Sequence, residues 1–169
     1  ADIFKEIVPE VLKHAKDAIM IGVTNPVDIL TYVTMKISGL PPNKVLGPGT
    51  VLDTSRVRYL ISQHCEVDPR NVHAYIIGEH GDTELPVWSN ATIGGMKIHK
   101  YCPTCKNFKH CKREEELEKL FQEVKNAAYK IIETKGATYY AIALALVRIV
   151  ETILRDENSV LPVSTLIRD

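Results

Sequence analysis

Ala18-Ile19-Met20-Ile21-Gly22-Val23 is a continuous apolar run without polar alternation. A run of this kind fits a strand buried on both faces, as inside a parallel sheet covered by helices. Its surroundings agree. Phe4, Ile7, Val8, Val11, Leu12 and Ala15 recur at helical spacing, so residues 2–16 form an amphipathic helix, bent at Pro9. Thr24-Asn25-Pro26 opens a second helix, with Ile29, Leu30, Val33 and Ile37 as its apolar stripe and Gly39-Leu40-Pro41-Pro42 as its end. Lys44-Val45-Leu46 is a short second strand running into Gly47-Pro48-Gly49. Strand, helix and strand in this order make the right-handed crossover unit of an α/β sheet. Two parallel strands do not stand alone, so the chain reads as incomplete at its front.

The remainder is of mixed character. Residues 51–65 form a helix with Leu52, Val57, Leu60 and Ile61 as its stripe, broken by Glu66-Val67-Asp68-Pro69. Val72, Ala74, Ile76 and Ile77 give a central strand that stops at Gly78. Residues 87–93 and 96–99 pair as an antiparallel hairpin turned by Gly94-Gly95. A charged helix runs from Glu114 towards Lys135, an apolar one covers residues 138–155, and residues 159–167 close as a strand. Arg148 and Glu151 interrupt the longest apolar run, which is too short and too charged to span a bilayer. The 21 basic residues balance the 21 acidic ones, which argues against nucleic acid as a partner. With no signal-peptide layout at its front, the chain reads as soluble and cytoplasmic, with no membrane partner.

The stretch Gly78-Glu79-His80-Gly81-Asp82 carries the chemistry. A histidine at a strand end, between glycines, has room for a ligand beside its ring and titrates near neutrality. An ordinary surface-turn histidine is the plain alternative. Asp53 and Arg56 lie three apart and share a helix face, usually as a surface ion pair. Given separate partners, Asp53 would accept the Nδ1 proton of His80, and Arg56 would grip a substrate carboxylate through its fork. Asn25 follows the carboxyl end of a parallel strand, where open α/β sheets bind ligands, and its amide suits a carbonyl or hydroxyl.

Thr24-Asn25-Pro26-Val27-Asp28, Gly47 to Arg56 in the pattern G-x-G-T-V-L-D-x-x-R, Gly78-Glu79-His80-Gly81-Asp82 and Lys135-Gly136-Ala137-Thr138 occur in one order. In these motifs the chain resembles the lactate/malate dehydrogenase family, above all the bacterial NAD-dependent L-lactate dehydrogenases, over nearly every residue outside 100–112. The resemblance implies an α/β fold: residues 1–49 as the end of a Rossmann-type parallel sheet binding NAD, and residues 50–169 as an α+β substrate domain incomplete at its C-terminus. It implies hydride transfer between NAD and pyruvate or L-lactate. His80 would be the acid–base group, Asp53 its orienting partner and Arg56 the carboxylate-binding residue. Asn25, Pro26, Val27, Asp28, Asp53, Thr54, Ser55, Arg56 and Thr138 would line the substrate site. Val23, Thr24, Asn25 and Pro48 would meet the cofactor, Pro48 standing where the family usually has serine. Arg58 and His73 match positions that bind fructose 1,6-bisphosphate in activated members, which are homotetramers. No G-x-G-x-x-G occurs, so most of the NAD site lies outside this sequence, and the chain alone is expected to be inactive. Glu79 and Lys135-Gly136-Ala137-Thr138 favour lactate over malate. A malate or 2-hydroxyisocaproate enzyme and a non-catalytic remnant are the alternatives.

Cys102-Pro103-Thr104-Cys105 with His110-Cys111 brings four possible metal ligands together, although neighbouring side chains in the second pair diverge. Reduced thiols or a Cys102–Cys105 disulfide are the alternatives, the disulfide being disfavoured in a reducing cytoplasm. No metal is assigned to the chemistry. Cys65 reads as a small, buried or half-buried residue.

Overall fold

The computed structural model describes residues 2–101 and 113–167. Helix α1 (Asp2–His14) leads to strand β1 (Met20–Ile21), helix α2 (Val27–Ser38) and strand β2 (Val45–Leu46). β1 and β2 pair in parallel, Met20 opposite Val45 and Ile21 opposite Leu46. Gly39, left-handed at φ 65°, ends α2 by donating its N–H to the Met35 carbonyl. Helix α3 (Val51–Cys65) follows. Then come β3 (Val72–His73), β4 (Ile76–Ile77), β5 (Leu85–Pro86), β6 (Thr92–Ile93), β7 (Met96–Lys97) and the single turn α4 (Ile98–Tyr101). Helices α5 (Arg113–Lys135) and α6 (Tyr140–Leu154) complete the order. No described helix is long and apolar enough to cross a membrane.

α3 lies between two apolar cores. Val57, Ile61 and Cys65 face a core shared with Val72, Ala74, Ile76, Ala91, Ile93, Ile98, Phe121 and Val124. Val51, at its start, belongs to a second core with Ala145 and Ile149 of α6, flanked by Ile21 and Leu46 of the parallel strands. Both cores remove one face of this helix from water, so its buried residues follow the three-and-four spacing of a helix held on two sides. Asp53, Thr54 and Ser62 are buried with them.

Four expectations need correction. The first apolar run is not buried on both faces, because Ile19 and Val23 are exposed. Among the described residues its strand pairs only with β2, and an apolar cleft of about 490 Å³ opens between it and α1. The central strand is two strands in two sheets: β3 pairs with β6, whereas β4 pairs with β5. Between them the Ala74 carbonyl turns to the Arg58 side chain, and the Tyr75 carbonyl accepts from Val87 N–H. Residues 87–93 are not one strand either. A 3₁₀ turn (Trp88–Asn90) precedes β6, and the hairpin is limited to β6 and β7. Residues 159–167 form no strand among the described residues. Among the described residues their one bridge is at Ser164, which exchanges two backbone hydrogen bonds with Gly47. Pro162 has no N–H to give a ladder. The cysteine cluster Cys102, Cys105, His110 and Cys111 lies outside the described residues, whereas Cys65 is buried.

Candidate active site

Two threonines of α3 and its lead-in fix where the histidine turn begins. Thr50 Oγ1 donates to the Ile76 carbonyl at 2.6 Å, while Thr54 Oγ1 accepts from Ile76 N–H at 3.0 Å. β4 is thereby tied to the first turns of α3, and the chain leaves it at Gly78. Gly78 has φ 90° and Gly81 φ 117°, values that side chains rarely adopt. The resulting turn carries His80 back over α3.

There the His80 Nδ1 and Asp53 Oδ2 are 2.6 Å apart, with the Asp53 side chain only 3% exposed. A carboxylate acceptor makes Nδ1 the donor, so the ring's other nitrogen, Nε2, is the one left to exchange a proton with a ligand. This hydrogen bond raises the His80 pKa above its ordinary 6.5; burial opposes the shift, and the charges of Asp53, Glu84 and Asp28 add to it. The His80 backbone N–H donates to Asp28 Oδ2 at 2.8 Å, and Ser164 Oγ donates to Asp28 Oδ1. Asp28 therefore joins α2, the histidine turn and the C-terminal stretch. Both its oxygens already accept protein donors, which makes it a holder of the turn and not an open ligand contact.

Arg56 leans on the same carboxylate, its guanidinium 3.4 Å from Asp53 Oδ1. Asp53 thus serves both partners that the sequence offered as alternatives. That contact is long, and the Arg56 side chain is 16% exposed at a hollow of about 310 Å³ with Tyr59, Leu60, Val124 and Ile131. Asp53 is the one protein acceptor its fork has among the described residues, and Arg56 lines that hollow.

The other expected positions divide. Val23, Thr24, Asn25 and Pro26 are exposed beyond the carboxyl end of β1. Val27 and Thr54 are buried, Thr54 by its bonds to Ile76. Ser55 is exposed and bonds back to the Val51 carbonyl. Pro48 is buried before α3. Thr138, half-buried in the turn before α6, makes no hydrogen bond to the histidine group among the described residues. Arg58 donates to the Ala74 carbonyl at 2.9 Å and stacks 4.6 Å over the Tyr75 ring, so it sits against the neighbour of the exposed His73.

Sequence reasoning missed Glu84. It is 3% exposed, with one carboxylate oxygen (Oε1) lacking a hydrogen-bond partner among the described residues. Asp53, His80 and Glu84 each bring a nitrogen or oxygen within 4.8 Å of one another. Burial pushes the Glu84 carboxyl up to about 7, with repulsion from Asp53 second. An acid within Gly-Asp-Thr-Glu reads as surface charge, and the neighbouring Leu85 is itself exposed, so no local pattern marks it. With Asp53 holding Nδ1 of His80, the trio is suited to proton transfer. A cavity of about 660 Å³ lies behind the turn among Asp28, Tyr32, Ile77, Gly78 and Pro162. None of His80, Asp53 and Arg56 lines it. Here the convergent polar groups mark the site, and cavity volume does not.

Two family models match the chain. Residues 1–47 match the lactate/malate dehydrogenase NAD binding domain, and residues 50–169 match the lactate/malate dehydrogenase alpha/beta C-terminal domain. The L-lactate dehydrogenase of Acetivibrio thermocellus is 58% identical over 98% of this chain and 51% of its own length. That of Thermoanaerobacterium saccharolyticum is 60% identical over 96% of this chain and 51% of its own length. A solved minor L-lactate dehydrogenase from Enterococcus mundtii, in a ligands-bound form, superposes with a TM-score of 0.91 at 48% identity, over 99% of this chain and 52% of that one. A lactate dehydrogenase from a Medee basin deep-sea metagenome library gives 0.92 at 45% identity, over 98% and 51%. The chain spans about half the length of the curated relatives it matches.

Proposed function

The chain belongs to the lactate/malate dehydrogenase family, and from that premise we propose that it is part of an NAD-dependent enzyme interconverting pyruvate and L-lactate. The observation that carries the reading is the 2.6 Å bond between His80 Nδ1 and Asp53 Oδ2, at the end of a glycine turn and beside an arginine. The 56–60% identical relatives, which are L-lactate dehydrogenases, support lactate as the substrate.

Asp53 fixes the imidazole so that Nε2 carries the exchangeable proton. In the direction of reduction, His80 passes that proton to the substrate's carbonyl oxygen, which becomes the hydroxyl. In the reverse direction Nε2 takes it back. The paired Asp53 stabilises the imidazolium without itself taking the proton. Arg56 holds the substrate carboxylate by its fork, fixing which carbon lies beside His80. Asn25 orients the carbonyl from the carboxyl end of β1. Asp28, through the His80 backbone, keeps the turn in register. NADH, when bound, supplies the hydride. The exposed Val23, Thr24 and Asn25, with Pro48 behind them, fit its nicotinamide end alone. The division between a cofactor part, residues 1–49, and a substrate part, residues 50–169, belongs to this reading, as does Thr138 as a wall of the pocket. So do a homotetrameric assembly and activation by fructose 1,6-bisphosphate at Arg58 and His73. The closeness of Arg58 to the Ala74 carbonyl supports a joint role for that pair.

The test is made on the protein at the length of its relatives. Lactate-dependent NADH formation and pyruvate-dependent NADH loss are expected, and His80→Ala should collapse both while NADH still binds by fluorescence titration. Full turnover in His80→Ala would remove the reading.

A further inference from the structure

Glu84 has no task in the proton and hydride scheme, yet it sits inside the site. It is 3% exposed, its Oε1 lacks a hydrogen-bond partner among the described residues, and it stands beside a carboxylate the scheme already uses. A buried carboxyl with an unmatched oxygen weakens a fold, the more so next to a like charge. We infer that Glu84 is a positioning residue acting through His80: a second acid beside the imidazole that holds the ring in its protonated, donating form.

The inference rests on His80 being the acid–base group. The charged groups around the pair are few. α3 presents Asp53 and Arg56, and α2 presents Asp28. α5 presents Lys125, whose Nζ donates to the Asp82 carbonyl at 2.7 Å. The turn itself carries Glu79, which bonds Thr83, and Asp82. Asp53 is committed to Nδ1 of His80 and to Arg56, so it cannot also relieve Glu84. An imidazolium between two carboxylates favours ionisation of both, and a neutral imidazole leaves them to repel each other. Protons on His80 and Glu84 are therefore coupled. When His80 gives its proton to the carbonyl oxygen, Glu84 takes one up from solvent. When the ring is recharged, Glu84 releases it. The Glu84 carboxyl, pushed up to about 7 by burial, lies in the range where this exchange operates.

The experiment uses the protein at the length of its relatives, labelled with ¹³C at Glu carboxyl and His ring carbons. In the unaltered protein the Glu84 carboxyl should titrate near neutrality, and its curve should carry a second inflection at the His80 midpoint. A single Glu84 midpoint below about 5 would overturn the inference. In Glu84→Gln, His80 should lose its proton at lower pH. The alkaline limb of kcat/KM for pyruvate should then move down by about half a pH unit, a loss of roughly threefold at pH 8.5. Near pH 6, where Glu84 is neutral, the two proteins should match. Glu84→Asp should restore part of the limb. Superimposable normalised profiles for Glu84→Gln and the unaltered protein would overturn the inference, since a purely structural role changes stability and not the limb. Should Glu84→Gln fail to fold, the titration of the unaltered protein decides alone. An unaltered protein inactive on pyruvate would remove the functional reading, while the two titration curves still decide the coupling.

Discussion

At the level of single residues, Asp53 is the side chain that joins His80 to Arg56. One oxygen meets His80 at 2.6 Å, and the other meets Arg56 at 3.4 Å. Asp53→Asn keeps the shape but offers an amide where a carboxylate is needed, so the ring can be held in the wrong tautomer. Turnover should fall by about 10²–10⁴-fold, the range for a positioned acid–base group, with cofactor affinity little changed. Steady-state rates with pyruvate measure this, and a loss below about threefold would take Asp53 out of the relay. Glu84 makes a separate prediction about stability. Its folded pKa is raised from 4.5 to about 7, so the folded protein binds the proton more tightly than the unfolded one. Its contribution is fully present below about 4.5 and is lost as the pH rises through about 7, the difference corresponding to roughly 3 kcal/mol. Glu84→Gln should therefore melt with the unaltered protein at pH 4.5 and above it at pH 8. His80 has the same sign: its raised pKa adds stability that is full below about 6.5 and lost as the pH passes its folded value. Thermal melts across this range check both.

Secondary structure was legible where the residues state it locally. α3 spans residues 51–65, as the stripe from Leu52 to Ile61 requires, and β1 pairs in parallel with β2 as the crossover pattern requires. Spacing and chemistry offered Asp53, Arg56 and His80 as one possibility beside a plain surface ion pair, and the family resemblance gave them their roles. What failed depended on partners. Val72 to Ile77 has strand composition throughout, but its ladder changes sheets at Ala74 and Tyr75, and nothing in those residues names the new partner. Glu84 was missed for a related reason: it is an acid in a polar motif, and only the folded chain buries it. Ser164 docks on the loop before α3 through backbone bonds, which no side-chain pattern reveals. That docking makes a prediction for the segment. A Cβ on Gly49 would stand 2.6 Å from the Ser164 nitrogen and 2.7 Å from the Pro162 oxygen, both backbone atoms that cannot swing aside. Gly49→Ala should push residues 162–164 off the loop and cost about 1–3 kcal/mol. Urea unfolding measures the loss, and hydrogen exchange at Ser164 should quicken. Ile61→Ala, inside the core of α3, α5 and the strands, should cost about 2–5 kcal/mol by the same method.

Over the whole molecule, the question is what Arg58 does. It lies two residues beyond Arg56, about 200° around α3, so it faces away from the site. It stacks on Tyr75 and bonds the Ala74 carbonyl, which ties α3 to the point where the ladder changes sheets. His73, exposed on β3, is the next residue before Ala74. A cation and an imidazole gathered beside that junction would repel their copies if two subunits met there across a two-fold axis. A doubly phosphorylated sugar between the copies would bind the assembled, active form better than the open one, and that difference in affinity is what shifts the equilibrium. Since the same junction starts β4, a shift there would reach Ile76 and, through its bond to Thr54, the helix that carries Asp53. At the length of its relatives the protein should sediment as a tetramer. Fructose 1,6-bisphosphate should lower its Michaelis constant for pyruvate by at least about fivefold, the low end of an ordinary allosteric coupling. Arg58→Gln should remove that ratio, because an amide carries no charge to be neutralised. Titrating the bisphosphate against initial rate at low pyruvate, alongside sedimentation, separates the possibilities. A flat response from a tetramer would leave Arg58 as the brace between α3 and the strand junction.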